Sequence, residues 1–248
     1  MIPDTERTAP RATPVRRPEG RPEGRPGGRP PAPAARRPRA WWRRPWIIPL
    51  GIVVAAFLAY ELPPYLTLDP ARARVVLPAA FPPKYAVLIG HIVFGTVAQV
   101  TIFLQMWPWL RRRHPAVHRW SGRVYVFAGA IPSAVAAVVM LPFTPVPGRV
   151  GVSTAAVLWL VTTVMGYRMA RRRRFAEHRR WMLYNFAIVA GINYTGLAIV
   201  VVGTHLPVAV DPVYLIEAAR WLGWVVNLAV VQWWLDRRRT RPVAGLAG

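Results

Sequence analysis

The sequence predicts an all-α protein, a polytopic transmembrane helical bundle of about six spans. The chain has 248 residues, of which 54% are hydrophobic, and a soluble protein of this length needs more polar surface than that leaves. It also has a net charge of +23, but the charged residues are confined to a few blocks. Between these blocks lie uncharged stretches close to the length of about 20 residues that a helix needs to cross a bilayer.

Six apolar intervals are candidates for these spans. Four are clear, at 85–110, 124–148, 150–167 and 181–210. The first interval, 45–68, reaches the required length only by continuing past Glu61. The last, 221–235, is short unless it begins near Val213 and carries Glu217 into the membrane interface.

The basic residues predict the orientation of the bundle. Of the 33 lysines and arginines, 28 lie in four segments, 1–44, 111–123, 168–180 and 237–248. Six spans place all four segments on one side of the membrane, and the positive-inside rule makes that side the cytoplasm. We therefore expect a multi-pass protein of the bacterial cytoplasmic membrane with both termini in the cytoplasm. This distribution explains the basic composition without a folded basic patch, so we expect no specific binding of nucleic acid.

The composition divides the chain into three parts. Residues 1–45 are rich in Arg, Pro and Gly, and such a segment buries too little apolar surface to fold. We expect a disordered cytoplasmic tail there, which either binds anionic lipids through its arginines or is a solvated linker. Residues 46–236 are the transmembrane domain, and residues 237–248 are a second cytoplasmic tail.

The two Arg-rich segments between spans resemble each other. Residues 111–119 align without gaps on residues 171–179, an offset of 60, and six of the nine positions are identical. This indicates that the second and third spans and the fourth and fifth spans are two similar hairpins, which together form a four-helix core. Four of the six matches are arginines that the topology alone requires, so chance similarity is the alternative.

The five histidines fall into two groups by depth. His91 and His205 lie towards the outer side, whereas His114, His118 and His178 lie near the cytoplasmic ends of spans. A titratable side chain within a span is costly and usually faces the bundle interior, which makes His91 a candidate functional residue and, like His118 and His178, a candidate haem or metal ligand. Interfacial histidines also commonly hydrogen-bond water, lipid phosphate or a helix end, and that is the alternative for the others.

The inner histidines suggest a haem or metal site. Binding of b-type haem requires two imidazoles that face each other at one depth on neighbouring helices, with arginines near the propionates. His118 and His178 are related by the repeat offset and satisfy the depth condition, and Arg119, Arg123 and Arg179 are close to them in sequence. We expect these two histidines to act together, as joint ligands or as an anion site, and His91 to act separately.

The remaining intramembrane polar residues support other hypotheses. Gln99 and Asn193, with His91, could line the polar path of a small-molecule transporter or channel, and Tyr125 is a further supporting polar group. A third hypothesis is a non-catalytic membrane partner or assembly factor. The sequence contains no cysteine and none of the motifs of soluble enzymes, and so it assigns no reaction.

Three motifs together resemble a family of uncharacterised bacterial membrane proteins, the domain of unknown function numbered 2306. The motifs are His91 with the Phe-Gly pair at 94–95, the segment HRWSGRVY at 118–125 and the segment HRRWM at 178–182. They extend from the second span to the fifth. The resemblance implies a membrane-helix fold and the importance of the three histidines, but it implies no substrate because the family has no established activity.

The predicted topology can be tested with reporter fusions. We expect an outer location for reporters placed after Leu68, Gly148 and Pro207, and a cytoplasmic location for reporters after Arg113, Arg174 and Arg241. The reason is the concentration of arginine in alternate connections. Opposite locations for the Arg113 and Arg174 fusions would contradict six spans.

Overall fold

The computed structural model describes residues 46–74, 83–144, 146–207 and 210–239. These residues form helices and turns, with no β-strand among them. As predicted, six helices are long and apolar enough to cross a membrane, and they are numbered here as the first to sixth spans: Ile47–Tyr65, Lys84–Met106, Pro115–Phe143, Arg149–Arg171, Phe175–Thr204 and Pro212–Arg238. The predicted tail at 1–45 and the last residues of the predicted tail at 237–248 lie outside the described residues.

The spans differ from their predicted bounds mainly where charges flank the apolar stretch. The third span begins at Pro115 and the fifth at Phe175, earlier than the expected 124 and 181. An uncharged interval underestimates a helix because the helix continues into the polar interface, where arginine side chains reach water. His118 and His178 therefore lie within the helices, each as the fourth residue, and not in loops before them.

The sixth span has the longer of its two predicted forms. Its helix begins at Pro212, so Glu217 lies within it, and it continues to Arg239, through the first residues of the expected tail at 237–248. Glu217 has a structural role, since its carboxylate accepts hydrogen bonds from the backbone N–H of Gly148 and from the indole N–H of Trp221. It thus joins the sixth span to the start of the fourth.

Arginines collect at one end of the bundle, called here the Arg-rich end. Short connections join the second span to the third and the fourth to the fifth at this end, and the sixth span finishes there. The first of these connections is a short helix, Pro108–Arg113, separated by His114 alone from the third span. Proline begins both helices, where its missing N–H costs no hydrogen bond.

The packing gives a four-helix core with two flanking helices, as predicted. The second span packs on the third and the fourth on the fifth, and the third span also packs on the fourth. The sixth span lies against the fourth and fifth. The first span is peripheral, since 11% of its apolar 18-residue stretch is buried, compared with at least 28% in each of the four core spans. It touches the core where Gly51 lies against Phe103 and where Phe57 packs on Tyr194.

The third and fifth spans each contain a π-helical segment, at Tyr125–Ala130 and Gly191–Thr195. A π-turn adds a residue to the helical repeat and so rotates the faces on either side of it relative to each other. Both segments coincide with close contacts. A Cβ built on Gly129 would lie 2.9 Å from backbone atoms of Ala98, and one built on Gly191 would lie 2.4 Å from the Cα of Trp224.

Gly191 and Gly223 set the distance between the fifth and sixth spans. A Cβ on Gly223 would lie 2.5 Å from the carbonyl oxygen of Gly191, so neither position can carry a side chain unless the helices separate. Without a hydrophobic effect between helices in lipid, such close backbone packing is a main source of their association.

We expect Gly191→Ala to lower the free energy of unfolding by about 1–3 kcal/mol, because the added methyl group collides with backbone and not with a movable side chain. Gly90→Ala is the matched control, since a Cβ there has its nearest neighbour at 3.9 Å. Unfolding in mixed micelles, followed by tryptophan fluorescence, measures both. Equal effects of the two substitutions would contradict a close contact at Gly191.

Candidate functional site

The third and fifth spans present equivalent faces to each other. Tyr125 follows His118 by seven residues, and Asn185 follows His178 by seven. Seven residues are close to two helical turns, so each pair lies on one face, about 10 Å apart along the helix axis. The positions 118 and 178 form a layer at the Arg-rich end, and positions 125 and 185 form a deeper layer.

The deeper layer is a fully buried polar contact. Tyr125 and Asn185 are both 0% exposed, and the tyrosine hydroxyl donates a hydrogen bond to the Asn185 side-chain oxygen. The same hydroxyl accepts a hydrogen bond from Trp159 Nε1 at 3.0 Å. Because unsatisfied polar groups are costly within the membrane, this pairing holds the two spans in one rotational setting.

The fourth span completes this polar layer. The Asn185 amide nitrogen donates to the hydroxyls of Thr162 at 3.0 Å and Thr163 at 2.8 Å, and it lies 3.3 Å from the carbonyl oxygen of Trp159. We call Tyr125, Trp159, Thr162, Thr163 and Asn185 the central polar cluster. It joins the third, fourth and fifth spans through side chains that the surrounding helices largely exclude from solvent.

The layer at the Arg-rich end contains His118 and His178. Both side chains are half-buried. His178 Nδ1 donates to the carbonyl oxygen of Gly166 on the fourth span at 2.8 Å, which fixes the ring and leaves Nε2 for a ligand. His118 Nδ1 is buried and has no hydrogen-bond partner among the described residues.

The arginines near this pair in sequence differ in their surroundings. Arg111 lies seven residues before His118, Arg119 directly follows it, and both are exposed. Arg123 is exposed and its guanidinium stacks on the ring of Trp120 at 5.1 Å. Arg179 lines a hollow between the fifth and sixth spans.

His91 lies apart from this pair, in the half of the second span that is farther from the Arg-rich end. Its Nδ1 donates to the carbonyl oxygen of Ser133 at 2.9 Å, and the Ser133 hydroxyl, which is 0% exposed, donates to the His91 carbonyl oxygen at 3.2 Å. These bonds join the second and third spans. Among the described residues, no group of three or more His, Cys, Asp or Glu side chains could hold a metal ion.

Gln99 and Asn193 do not share partners with His91. Gln99 is buried, and its side-chain oxygen accepts a hydrogen bond from the Tyr194 hydroxyl at 2.7 Å. Asn193 donates to the Val189 carbonyl oxygen of its own helix at 2.9 Å. The structure therefore places His91, Gln99 and Asn193 in three separate hydrogen-bonded groups.

The comparison with known proteins identifies the family. A family model described as "Predicted membrane protein (DUF2306)" matches residues 88–235, which is more than half of the chain. The chain belongs to this family. No curated protein and no solved structure matches it. The DUF2306 match extends beyond the three motifs, since it includes most of the sixth span as well as all three singled-out histidines.

Sequence reasoning missed most of the central polar cluster in this DUF2306 chain. Tyr125 was singled out, but Asn185, Trp159 and the two threonines were not. A signal for Asn185 was present, because the offset of 60 that relates His118 to His178 also relates Tyr125 to Asn185. The threonines carried no such signal, since a threonine in a span usually bonds to its own helix, as Thr162 and Thr163 also do.

We expect Tyr125→Phe to lower the free energy of unfolding by about 1–2 kcal/mol, because it leaves the Trp159 indole N–H and the Asn185 oxygen without their partner in a buried site. Tyr214→Phe is the control, since Tyr214 is 72% exposed. Titration with a denaturing detergent measures both variants. A loss at Tyr125 no larger than that at Tyr214 would show that the cluster does not stabilise the bundle.

Proposed function

We propose that this DUF2306 protein is a membrane redox protein that binds one b-type haem at its Arg-rich end, with His118 and His178 as the two axial ligands. One observation carries the proposal. Two histidines occupy equivalent positions in the third and fifth spans, each as the fourth residue of its helix at the Arg-rich end, and each has an imidazole nitrogen available for a ligand.

The donor set fits haem better than a bare metal ion. A structural zinc site uses four protein ligands, whereas haem iron takes four nitrogens from its own porphyrin and requires only two axial groups from the protein. Of the three histidines at this end of the bundle, His118 and His178 are half-buried, whereas His114 is exposed. The hydrogen bond from His178 Nδ1 to Gly166 is the kind that orients a ligating imidazole and raises its basicity.

The surroundings of the pair also suit an amphipathic, anionic cofactor. The central polar cluster lies two helical turns deeper and separates the pair from the membrane centre. Arg111 and Arg119 are exposed at the Arg-rich end, where they would pair with propionates. When bound, the haem would supply a one-electron redox couple, and the protein would fix its ligands and exclude water from its inner edge.

We propose that this site lies on the cytoplasmic side of the bacterial cytoplasmic membrane. The support is the asymmetry of arginine between the two ends of the bundle. A redox centre at that depth would exchange electrons with a partner in the cytoplasm or at the inner membrane surface, and not with one on the outer side.

The alternative of a small-molecule transporter has less support. It requires His91, Gln99 and Asn193 to line one path, but their side chains bond to Ser133, Tyr194 and the backbone of Val189 respectively. The non-catalytic partner hypothesis has no specific observation in its favour.

The visible absorption spectrum of the protein, purified from haem-replete cells, tests the proposal. We expect a Soret band that shifts on reduction with dithionite. His118→Ala and His178→Ala should each abolish low-spin six-coordinate haem, because each removes one axial ligand. A colourless wild-type protein would refute the proposal.

His114→Ala is the matched control for this experiment. His114 also lies at the Arg-rich end, but it is exposed and stacks on Trp109 at 4.7 Å. We expect this variant to keep the wild-type spectrum, as should His91→Ala. If a spectrum were present and His91→Ala abolished it while His118→Ala did not, the haem would belong to the other half of the bundle.

A further inference from the structure

We propose that the Arg-rich end contains a second binding site, independent of the histidine pair, for the phosphate headgroup of an anionic phospholipid. The site is a hollow of about 210 Å³ between the start of the fifth span and the end of the sixth. Arg179, Arg180 and Arg238 line it together with apolar side chains that include Leu183, Trp234 and Leu235.

Hydrogen bonding holds one of these arginines in place. Arg180 Nε donates to the Tyr184 hydroxyl at 2.9 Å, and that hydroxyl donates to the Gln232 side-chain oxygen at 2.5 Å. Gln232 in turn donates to Asp236 at 2.8 Å. Because this series of hydrogen bonds uses only Nε of Arg180, the two terminal guanidinium nitrogens remain able to bind two phosphate oxygens.

Aromatic stacking positions the arginine on the other wall. The guanidinium of Arg238 lies 3.8 Å from the ring centroid of Trp234, and stacking leaves the N–H edge of the guanidinium open to an anion. Arg180 from the fifth span and Arg238 from the sixth thus approach one hollow from its two sides.

The charge balance of the hollow favours an anion. Its lining includes three arginines and no carboxylate. The nearest acidic residues in sequence are otherwise engaged, since Glu177 forms an ion pair with Arg174 at 2.6 Å and Asp236 accepts the hydrogen bond from Gln232. Three positive charges on one small site are best neutralised by a phosphate group.

The apolar part of the lining favours a lipid over a soluble anion. Leu183, Trp234 and Leu235 continue the hollow along the spans, towards the region that acyl chains occupy. Basic pockets between transmembrane helices at the interface suit acidic headgroups for this reason. The glycine contact between the fifth and sixth spans lies deeper in the bundle. A phospholipid bound in the hollow would add a second connection between these spans at the Arg-rich end.

Lipid-dependent thermal stability of the full chain tests the proposal. Delipidated protein in a neutral detergent is titrated with phosphatidylglycerol, with phosphatidylcholine, and with inorganic phosphate at the same concentrations. We expect phosphatidylglycerol alone to raise the unfolding midpoint. In Arg180→Gln/Arg238→Gln the affinity for phosphatidylglycerol should fall by about tenfold or more, because two of the three cations are lost.

Arg112→Gln/Arg113→Gln is the matched control, since it removes two exposed arginines from the same end of the bundle but from the first hairpin. It should keep the wild-type affinity. All variants retain residues 1–45, so lipid bound by that Arg-rich segment contributes equally to each. Arg238→Gln alone, with a smaller expected loss, serves if the double variant does not fold.

Three results would overturn the proposal. They are equal affinities in the Arg180→Gln/Arg238→Gln and Arg112→Gln/Arg113→Gln variants, equal stabilisation by phosphatidylcholine, and equal stabilisation by inorganic phosphate, which would indicate a site for soluble anions. The haem spectrum is a separate readout. We expect Arg180→Gln/Arg238→Gln to keep it, so the two proposals fail independently.

Discussion

The hydrogen bond between Tyr125 and Asn185 is the constraint on which the rest of the core depends. Both side chains are fully buried, and within a bilayer neither could find water if the other were turned away. Apolar surfaces of helices slide and rotate in lipid at little cost, because lipid tails solvate them as well as another helix does. A buried polar pair with one good geometry removes that freedom and fixes the rotation of the third and fifth spans.

The position of the histidines follows from this rotation. His118 and His178 lie two turns from Tyr125 and Asn185 on the same helical faces, so the pair that aligns the deeper layer also sets the direction in which each histidine leaves its helix. The central polar cluster thus has a structural role that determines whether a functional site can exist above it. In the proposed haem protein it would be a positioning element, and the histidines alone would touch the cofactor.

The sequence determined the number and approximate location of the spans because lipid imposes a length and a composition on every one of them. It was a poor guide to helix ends, where Pro115 and Phe175 begin helices inside charged segments. It also did not reveal which polar side chains meet. Gln99, Asn185 and Asn193 all carry amide side chains within spans. Gln99 bonds to a tyrosine on another span, Asn185 to partners on two other spans, and Asn193 to the backbone of its own helix. That choice depends on rotation and on the π-helical segments, which no local pattern specified.

In the proposed haem protein, the repeat also indicates why the site lies at one end. At the Arg-rich end the offset of 60 relates His118 to His178 and Tyr125 to the hydrogen-bonding Asn185. In the other half, His91 corresponds to Gly151, where a Cβ would lie 3.0 Å from the Arg220 carbonyl oxygen. A side chain there would displace the sixth span. The second hairpin therefore uses this position for helix packing, which leaves His91 without a symmetry partner and the Arg-rich end as the place where each hairpin contributes a histidine to the proposed site.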